Sequence, residues 1–319
     1  MKTIRSAIAV AIATAAFVAV ASPVYAAPPA LPAGDQLTSV SCDGGPATLF
    51  TVDSATGSST AVGASGSELN CAYQGAWDPI TGTLYGLIWD NNPILVKYDL
   101  ATGALTEIGS IVDSLDVSVG AYALAIGLDG TAYINDYDTL YTLDLTTGVA
   151  TLVGTVAGVT DSAYGFSVDP STGKLYMLQQ SGDLLEINPD PAGPTATLVG
   201  TWPLTEEQFD SYGLAIDSAG TAWVTVYPGS DDIYTALYST PLATFGVDPQ
   251  LSGNMVDAAT ADDFNSWWVT LARPVAPAPA PAPQPQLAAT GIDAGSIAGV
   301  GVLLGVLGFV LVARRRRTV

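Results

Sequence analysis

Three features of the 319-residue sequence predict an all-β fold, a β-propeller of about five four-stranded blades. First, a tyrosine-containing strand motif recurs at intervals of 49, 42 and 48 residues. Second, each copy is followed by a glycine turn and a short aromatic or β-branched run, which is hairpin chemistry. Third, helical periodicity is almost absent from the body of the chain. Side-by-side repeats of this length, each with four short strands, are typical of propeller blades.

The first strand of each repeat carries the tyrosine, and its copies are residues 72–78, 121–127, 163–169 and 211–217, with a degenerate copy at 257–262. The second strands begin at the glycine turns, and their copies are 81–85, 129–133, 172–176 and 219–223, with 266–268 as the expected last member. Third strands end in an Asp-x-x-Thr-Gly turn, which is clear at 53–57, 99–103 and 144–148.

The repeats predict five blades between about Leu37 and Ala272. Strands within 49–62 are expected to complete the blade that 267–271 begins, and closure by both ends removes an open sheet edge. Six blades are the alternative, because 37–42 also resembles a second strand and would then duplicate Trp268.

These motifs resemble the propeller-like repeat families of bacterial surface proteins. Blades in those families read Tyr-Gly-Leu-Ala-x-Asp, then Gly-x-Leu-Tyr, then Asp-x-x-Thr-Gly. The resemblance covers most of residues 49–272 and is best at 212–217 and 144–148. It implies a fold and a surface location, and it carries over no catalytic residue.

The N-terminus predicts export. Lys2 and Arg5 precede an apolar run at 8–21, and small residues flank the expected signal peptidase site. The signal peptide is therefore predicted at 1–26, with cleavage between Ala26 and Ala27. A short segment, 27–36, would lead into the propeller domain at 37–272.

The C-terminus resembles a cell-wall sorting signal. The motif consists of Leu287, Ala288, Ala289, Thr290 and Gly291. An apolar segment at 294–313 follows, long enough to cross a bilayer, and the basic tail at 314–319 would be held on the cytoplasmic side. Alanine at 288, where proline is usual, resembles the variant associated with class E sortases of high-GC Gram-positive bacteria.

This resemblance implies cleavage between Thr290 and Gly291 by a sortase and covalent attachment to cell-wall peptidoglycan. The protein would contact the membrane only through the C-terminal segment, as a transient single-pass intermediate. A plain C-terminal membrane anchor is the alternative. The segment 273–286 alternates proline with small residues; this favours polyproline II, and the segment would act as a wall-spanning spacer of roughly 40 Å.

Removing both terminal segments leaves Lys97, Lys174 and Arg273 as the only basic residues against 29 acidic ones. So acidic a chain is not expected to bind nucleic acid, because phosphate binding requires Lys and Arg. It favours cations, basic partners or simply solubility. The two cysteines, Cys42 and Cys71, predict a disulfide in an exported protein.

Histidine is absent from the sequence. Its absence excludes Ser-His-Asp and Cys-His catalysis and the usual histidine metal sites. Carboxylate chemistry and oxygen-ligated Ca²⁺ or Mg²⁺ stay open. We therefore expect no catalytic activity and no certain cofactor, with Ca²⁺ as the one candidate.

Two sets of residues are candidates for ligand binding. The repeated tyrosines could form a ring at one rim of the central channel, or they could pack between blades; packing is favoured because they obey the repeat. They are Tyr73, Tyr122, Tyr164 and Tyr212. The second set lies in loops on one face of the predicted propeller, where the sequence departs from the repeat. Carboxylate and amide oxygens there suit Ca²⁺ or a carbohydrate. Such residues are also common in turns. These are Asp90, Asn91, Asp136, Asp138, Asp231 and Asp232.

Together these features predict a secreted, wall-anchored propeller that acts as a binding or adhesion module for an unidentified extracellular glycan or protein. One alternative is a carboxylate- and calcium-dependent hydrolase or lyase that works in the central depression. The other is an inert envelope or coat protein.

Overall fold

The computed structural model describes residues 28–41, 47–64, 72–89, 92–203, 208–228, 235–257 and 268–273. Within these ranges the chain forms five β-sheets arranged as the blades of a propeller, which confirms the predicted all-β, five-bladed fold. The described residues contain no α-helix, only one 3₁₀ turn at Leu242–Thr244.

The N-terminal strands are β1 (Gln36–Ser41), β2 (Thr48–Val52) and β3 (Ser58–Ala64). Blade 2 consists of β4 (Ala72–Asp78), β5 (Thr83–Trp89), β6 (Pro93–Tyr98) and β7 (Leu105–Ser110). Blade 3 consists of β8 (Ala123–Ile126), β9 (Ala132–Asp136), β10 (Thr139–Leu143) and β11 (Ala150–Thr155).

Blade 4 consists of β12 (Ala163–Val168), β13 (Leu175–Gln179), β14 (Asp183–Asn188) and β15 (Thr195–Thr201). Blade 5 consists of β16 (Gln208–Ile216), β17 (Thr221–Pro228), β18 (Ala236–Pro241) and β19 (Gln250–Asn254). The last strands are β20 (Val256–Asp257) and β21 (Thr270–Ala272). In blades 2 to 5 consecutive strands pair antiparallel, and the chain runs from the innermost strand outward.

Blade 1 is closed by both ends of the domain, as predicted. Strand β21 pairs antiparallel with β1, with Leu271 opposite Leu37, and β2 and β3 complete the sheet. Residues 37–41 form the second strand of this blade, as their sequence suggested, without creating a sixth blade. Two details of the prediction were wrong. Trp268, expected on a second strand, lies two residues before the innermost strand β21. Asp257, expected on an innermost strand, belongs to β20, which pairs in parallel with the outer strand β3.

The hydrophobic core is divided into five clusters, one between each pair of adjacent blades. The cluster between blades 5 and 1 joins Trp223 to Leu37 and Leu271, so it seals the junction of the two chain ends. Because every blade buries both of its faces against a neighbour, the closed ring needs no partner domain to cover its sheets.

The innermost strands β21, β4, β8, β12 and β16 contact one another in a closed ring. Glycines in the tyrosine motif allow this approach. A Cβ at Gly75 would lie 2.5 Å from the Trp268 ring, and one at Gly213 would lie 2.7 Å from the Val269 nitrogen. The Tyr-Gly pair of the repeat is thus explained by steric demand at the axis.

Several predicted features lie outside the described residues. They are the signal peptide at 1–26, Cys42 and Cys71, the spacer from 274 onward, the sorting motif at 287–291, the apolar segment at 294–313 and the basic tail. All described residues belong to one compact unit. Across the part of the chain that the structure describes, no helix is long and apolar enough to span a membrane.

Candidate functional site

The two faces of the propeller carry different turns and connecting segments. We call the face where the innermost strands begin the entry face, and the face where they end the exit face. Because strands alternate in direction, the turns between second and third strands and the segments that join blades lie on the entry face. Each Asp-x-x-Thr-Gly turn lies on the exit face, where, for example, Asp144 accepts hydrogen bonds from the nitrogen and hydroxyl of Thr146.

The repeated tyrosines lie at the entry end of the innermost strands. Trp268 lies four residues before the last paired residue of β21, Ala272, and Tyr73 lies five residues before that of β4, Asp78, so the two aromatics are one position apart in the repeat. Tyr212 lies in β16, and its side chain is outside the described part of the structure.

Two of these aromatic side chains link neighbouring blades. The Trp268 indole nitrogen donates to the Ala72 carbonyl at 2.7 Å, and the Tyr73 hydroxyl donates to the Ala121 carbonyl. Each acceptor belongs to the residue just before the next repeated aromatic. Burial, and to a lesser extent the nearby Tyr122, raises the pKa of Tyr73. Trp268 and Tyr73 therefore both serve inter-blade packing.

Tyr122, Tyr164 and the turn residue Tyr137 form a separate group, which we call the tyrosine cluster. The ring centroids of Tyr122 and Tyr137 are 4.7 Å apart at an interplanar angle of 52°, and those of Tyr122 and Tyr164 are 5.7 Å apart at 78°. The Tyr122 hydroxyl donates to that of Tyr137 at 3.0 Å. This hydrogen bond, together with burial, raises the pKa of Tyr122 and keeps the phenol neutral.

Tyr137 occupies an unfavourable backbone conformation. It lies in a two-residue turn between β9 and β10, where Asp136 pairs with Thr139, and its φ is 52°. Glycine, asparagine or aspartate usually occupies such a position, because a Cβ is strained there. The Asn135 amide donates to the Tyr137 carbonyl at 3.2 Å and supports the turn. Even so, Tyr137 is 52% exposed, so packing against Tyr122 covers only about half of its surface.

Carboxylates surround the tyrosine cluster. Asp136 and Asp138 flank Tyr137, and Asp136 packs so closely on Gly120 that a Cβ there would lie 2.5 Å from its carboxyl carbon. Burial, and then the charge of Asp138, raises the pKa of Asp136. Burial, Asp136 and Asp113 likewise raise the pKa of Tyr141. The negative charges of Asp113 and Asp136 therefore both act on the Tyr141 side chain.

The basic side chains found in the described residues lie elsewhere. Lys174 pairs with Glu186 at 2.9 Å in blade 4, and Lys97 lies on β6 of blade 2. Arg273 pairs with Asp35 at 2.6 Å on the exit face. There the ends of the innermost strands line a cavity of about 40 Å³, which includes Trp77, Ile126, Phe166 and Arg273.

The structure therefore brings together only part of the sequence-derived candidates. Asp136 lies close enough to Tyr122 to contribute to its raised pKa, and Asp138 acts on Asp136. Asp90, Asn91, Asp231 and Asp232 are outside the described residues. In the ranges that the structure covers, no group of three or more acidic or cysteine side chains could hold a metal ion. Tyr137, which is not among the sequence-derived candidates, joins the cluster through Tyr122; a tyrosine in a two-residue hairpin turn is a usable sequence signal.

The fold and this rim define a five-bladed β-propeller with an acidic, aromatic entry face. No protein-family model matches the chain, and a search of curated proteins finds no match. A structure of unknown function from Bacteroides thetaiotaomicron has 14% identity and a TM-score of 0.45, covering 74% of this chain and 70% of its own.

Two other solved structures are similar at comparable levels. TolB from Acinetobacter baumannii has 13% identity and a TM-score of 0.42, covering 76% of this chain and 68% of its own. Virginiamycin B lyase from Staphylococcus aureus has 9% identity and a TM-score of 0.37, covering 66% and 77%.

Proposed function

We propose that this protein is an extracellular binding module, an adhesin-like propeller without catalytic activity, whose ligand contacts the tyrosine cluster on the entry face. One observation carries the proposal: Tyr137 keeps a half-exposed aromatic ring at a strained φ, which stability alone would not favour. Backbone strain retained at an exposed aromatic residue points to a role for the ring itself.

The chemistry of the rim supports binding over catalysis. The sequence has no histidine to act as a base near neutral pH. Phenols with raised pKa values, such as that of Tyr122, do not ionise near neutral pH and so cannot serve there as bases. Aromatic rings with a few polar or charged groups among them are instead typical of ligand-binding sites.

The proposed location rests on the two ends of the sequence. A signal peptide at 1–26 and the sorting-like motif at 287–291 support secretion and sortase-dependent attachment to peptidoglycan between Thr290 and Gly291. The apolar segment and the arginines that follow it support a transient membrane intermediate.

Anchoring can be tested by cell fractionation. We expect Thr290→Ala, or deletion of the four arginines at 314–317, to move the protein from the covalently bound wall fraction to the membrane or the medium. Ala289→Ser changes a variable position of the motif and serves as the control. Undiminished wall attachment in both test variants would contradict the sortase assignment.

Binding can be tested with the propeller unit, residues 27–274, on an array of glycans and extracellular matrix proteins, first with Ca²⁺ and then with a chelator. We expect a saturable ligand whose binding Tyr137→Gly abolishes. The same change should leave the free energy of unfolding within about 1 kcal/mol of wild type, because relieved φ strain and lost ring stacking oppose each other.

Tyr137→Phe is the matched control, since it keeps the ring and removes only the hydroxyl. It should retain most of the binding. Loss of binding through unfolding is excluded by comparing thermal midpoints. If the Tyr137→Gly variant binds the ligand as tightly as the wild type, the tyrosine cluster is not the binding site. If no glycan or protein on the array binds, an inert envelope protein is favoured.

A further inference from the structure

The acidic side chains next to the tyrosine cluster select a class of ligand. We propose that the cluster binds a cationic group, specifically the primary ammonium of a lysine side chain in a peptide or protein. The inference rests on the proposed function and narrows it, since it names the chemistry that the rim recognises.

Aromatic rings provide the first element. A cation is attracted to the face of a tyrosine ring, by about 0.5–1 kcal/mol at an exposed site and by more when the pair is desolvated. Tyr122 stands at 52° to Tyr137 and at 78° to Tyr164, so the three rings present differently oriented surfaces within one small area. With about half of its surface exposed, Tyr137 is the ring that a ligand can reach.

Carboxylates provide the second element. Asp136 and Asp138 lie on either side of Tyr137, and burial together with the charge of Asp138 disfavours the ionised form of Asp136. A bound cation would relieve that repulsion, whereas an anion would increase it. The described basic residues do not supply this charge from within the protein, because Lys174 and Arg273 pair with other acids and Lys97 lies on β6.

The turn that carries Tyr137 provides the third element. Asn135 is fully buried beneath the turn, and its amide nitrogen donates to the carbonyls of Tyr137 and Ala163, each at 3.2 Å. Its Oδ1 accepts no hydrogen bond from any described residue, but it has almost no exposed surface. The acceptors of the turn that a ligand can reach are the carboxylates of Asp136, which is partly buried, and Asp138, which is exposed. An ammonium group, which has three N–H donors and no acceptor, complements these carboxylates.

The test compares two peptides that differ in one charge, Ac-Gly-Lys-Gly-NH₂ and its Nε-acetyl-lysine form. Binding to the 27–274 propeller is followed by NMR titration. We expect the lysine peptide to bind at least tenfold more tightly than the acetylated one. Asp136→Asn/Asp138→Asn and, separately, Tyr137→Leu should each weaken lysine binding about tenfold.

Non-specific attraction to an acidic protein needs its own control. Glu107→Gln/Asp248→Asn removes the same number of charges from an outer strand and an exit-face turn, and both side chains are exposed. This variant should bind within twofold of wild type. A loss equal to that of the rim variant, or equal binding of both peptides, would overturn the inference.

The outcomes also separate this inference from the proposed function. A neutral glycan that loses binding in Tyr137→Gly, together with no preference for lysine, would overturn the cation assignment and leave the binding module intact. Absence of any ligand that depends on the tyrosine cluster would overturn both. Thermal midpoints of each variant exclude unfolding as the cause of a loss.

Discussion

Replacement of Trp268 with alanine is expected to lower the free energy of unfolding by about 3–5 kcal/mol, the usual cost of removing a large buried aromatic. Trp268 is fully buried, contacts Gly75 and donates to the Ala72 carbonyl. It therefore joins blade 1, where the chain closes, to blade 2. For a domain of this size the thermal midpoint should fall by roughly 6–20 °C.

A double-mutant cycle separates the contact from simple loss of volume. Gly75→Ala should destabilise the wild type, because the added methyl would lie 2.5 Å from the indole ring, and it should cost much less in the Trp268→Ala background. The control is Trp202→Ala, which empties a similarly buried site between blades 4 and 5. That change should leave the cost of Gly75→Ala unaltered. A coupling below about 0.5 kcal/mol would contradict close packing at this contact.

The second large effect concerns the ion pair between Asp35 and Arg273. Asp35 is 3% exposed and also accepts hydrogen bonds from the nitrogen and hydroxyl of Ser218, at 3.0 and 3.1 Å. Asp35→Ala is expected to destabilise by about 2–4 kcal/mol. It strips the partner from a partly buried guanidinium, for which losses of about 3–5 kcal/mol are typical at full burial.

Asp35→Asn should cost less, because it keeps an acceptor while removing the charge. The comparison pair is Lys174 with Glu186, whose side chains are 52% and 36% exposed. Glu186→Gln should leave the unfolding midpoint unchanged, since exposed ion pairs contribute little. Equal effects at the two pairs in urea unfolding would show that the Asp35 contact does not help to close the ring.

Repetition made most of the fold predictable. Four copies of the Tyr-strand motif placed the innermost strands of blades 2 to 5, and Gly75 and Gly213 reflect close approach at the axis. Blade 1 was harder to assign, because no Tyr-Gly pair precedes its innermost strand, which follows Trp268 and Val269. Only strand pairing shows that Leu271 is opposite Leu37.

The site was less predictable, for a physical reason. Tyr73 and Tyr122 occupy equivalent repeat positions, yet one hydroxyl binds a backbone carbonyl and the other binds Tyr137. The difference depends on a turn that is 15 residues downstream of Tyr122 and adjacent only in space. Asp136 and Asp138 could be selected from sequence, but the approach of Asp136 to Tyr122 could not.

The pairing of β21 with β1 also determines how the domain would respond to mechanical tension. The chain leaves β21 at Arg273 on the exit face. Three residue pairs join β21 to the antiparallel strand β1, and their hydrogen bonds run perpendicular to the strand axis. A load on residue 273, balanced by resistance on the entry face, would act along the strand axis. The three residue pairs would then be loaded in shear at the same time instead of separating one after another. The buried Trp268 side chain would also resist withdrawal of the strand.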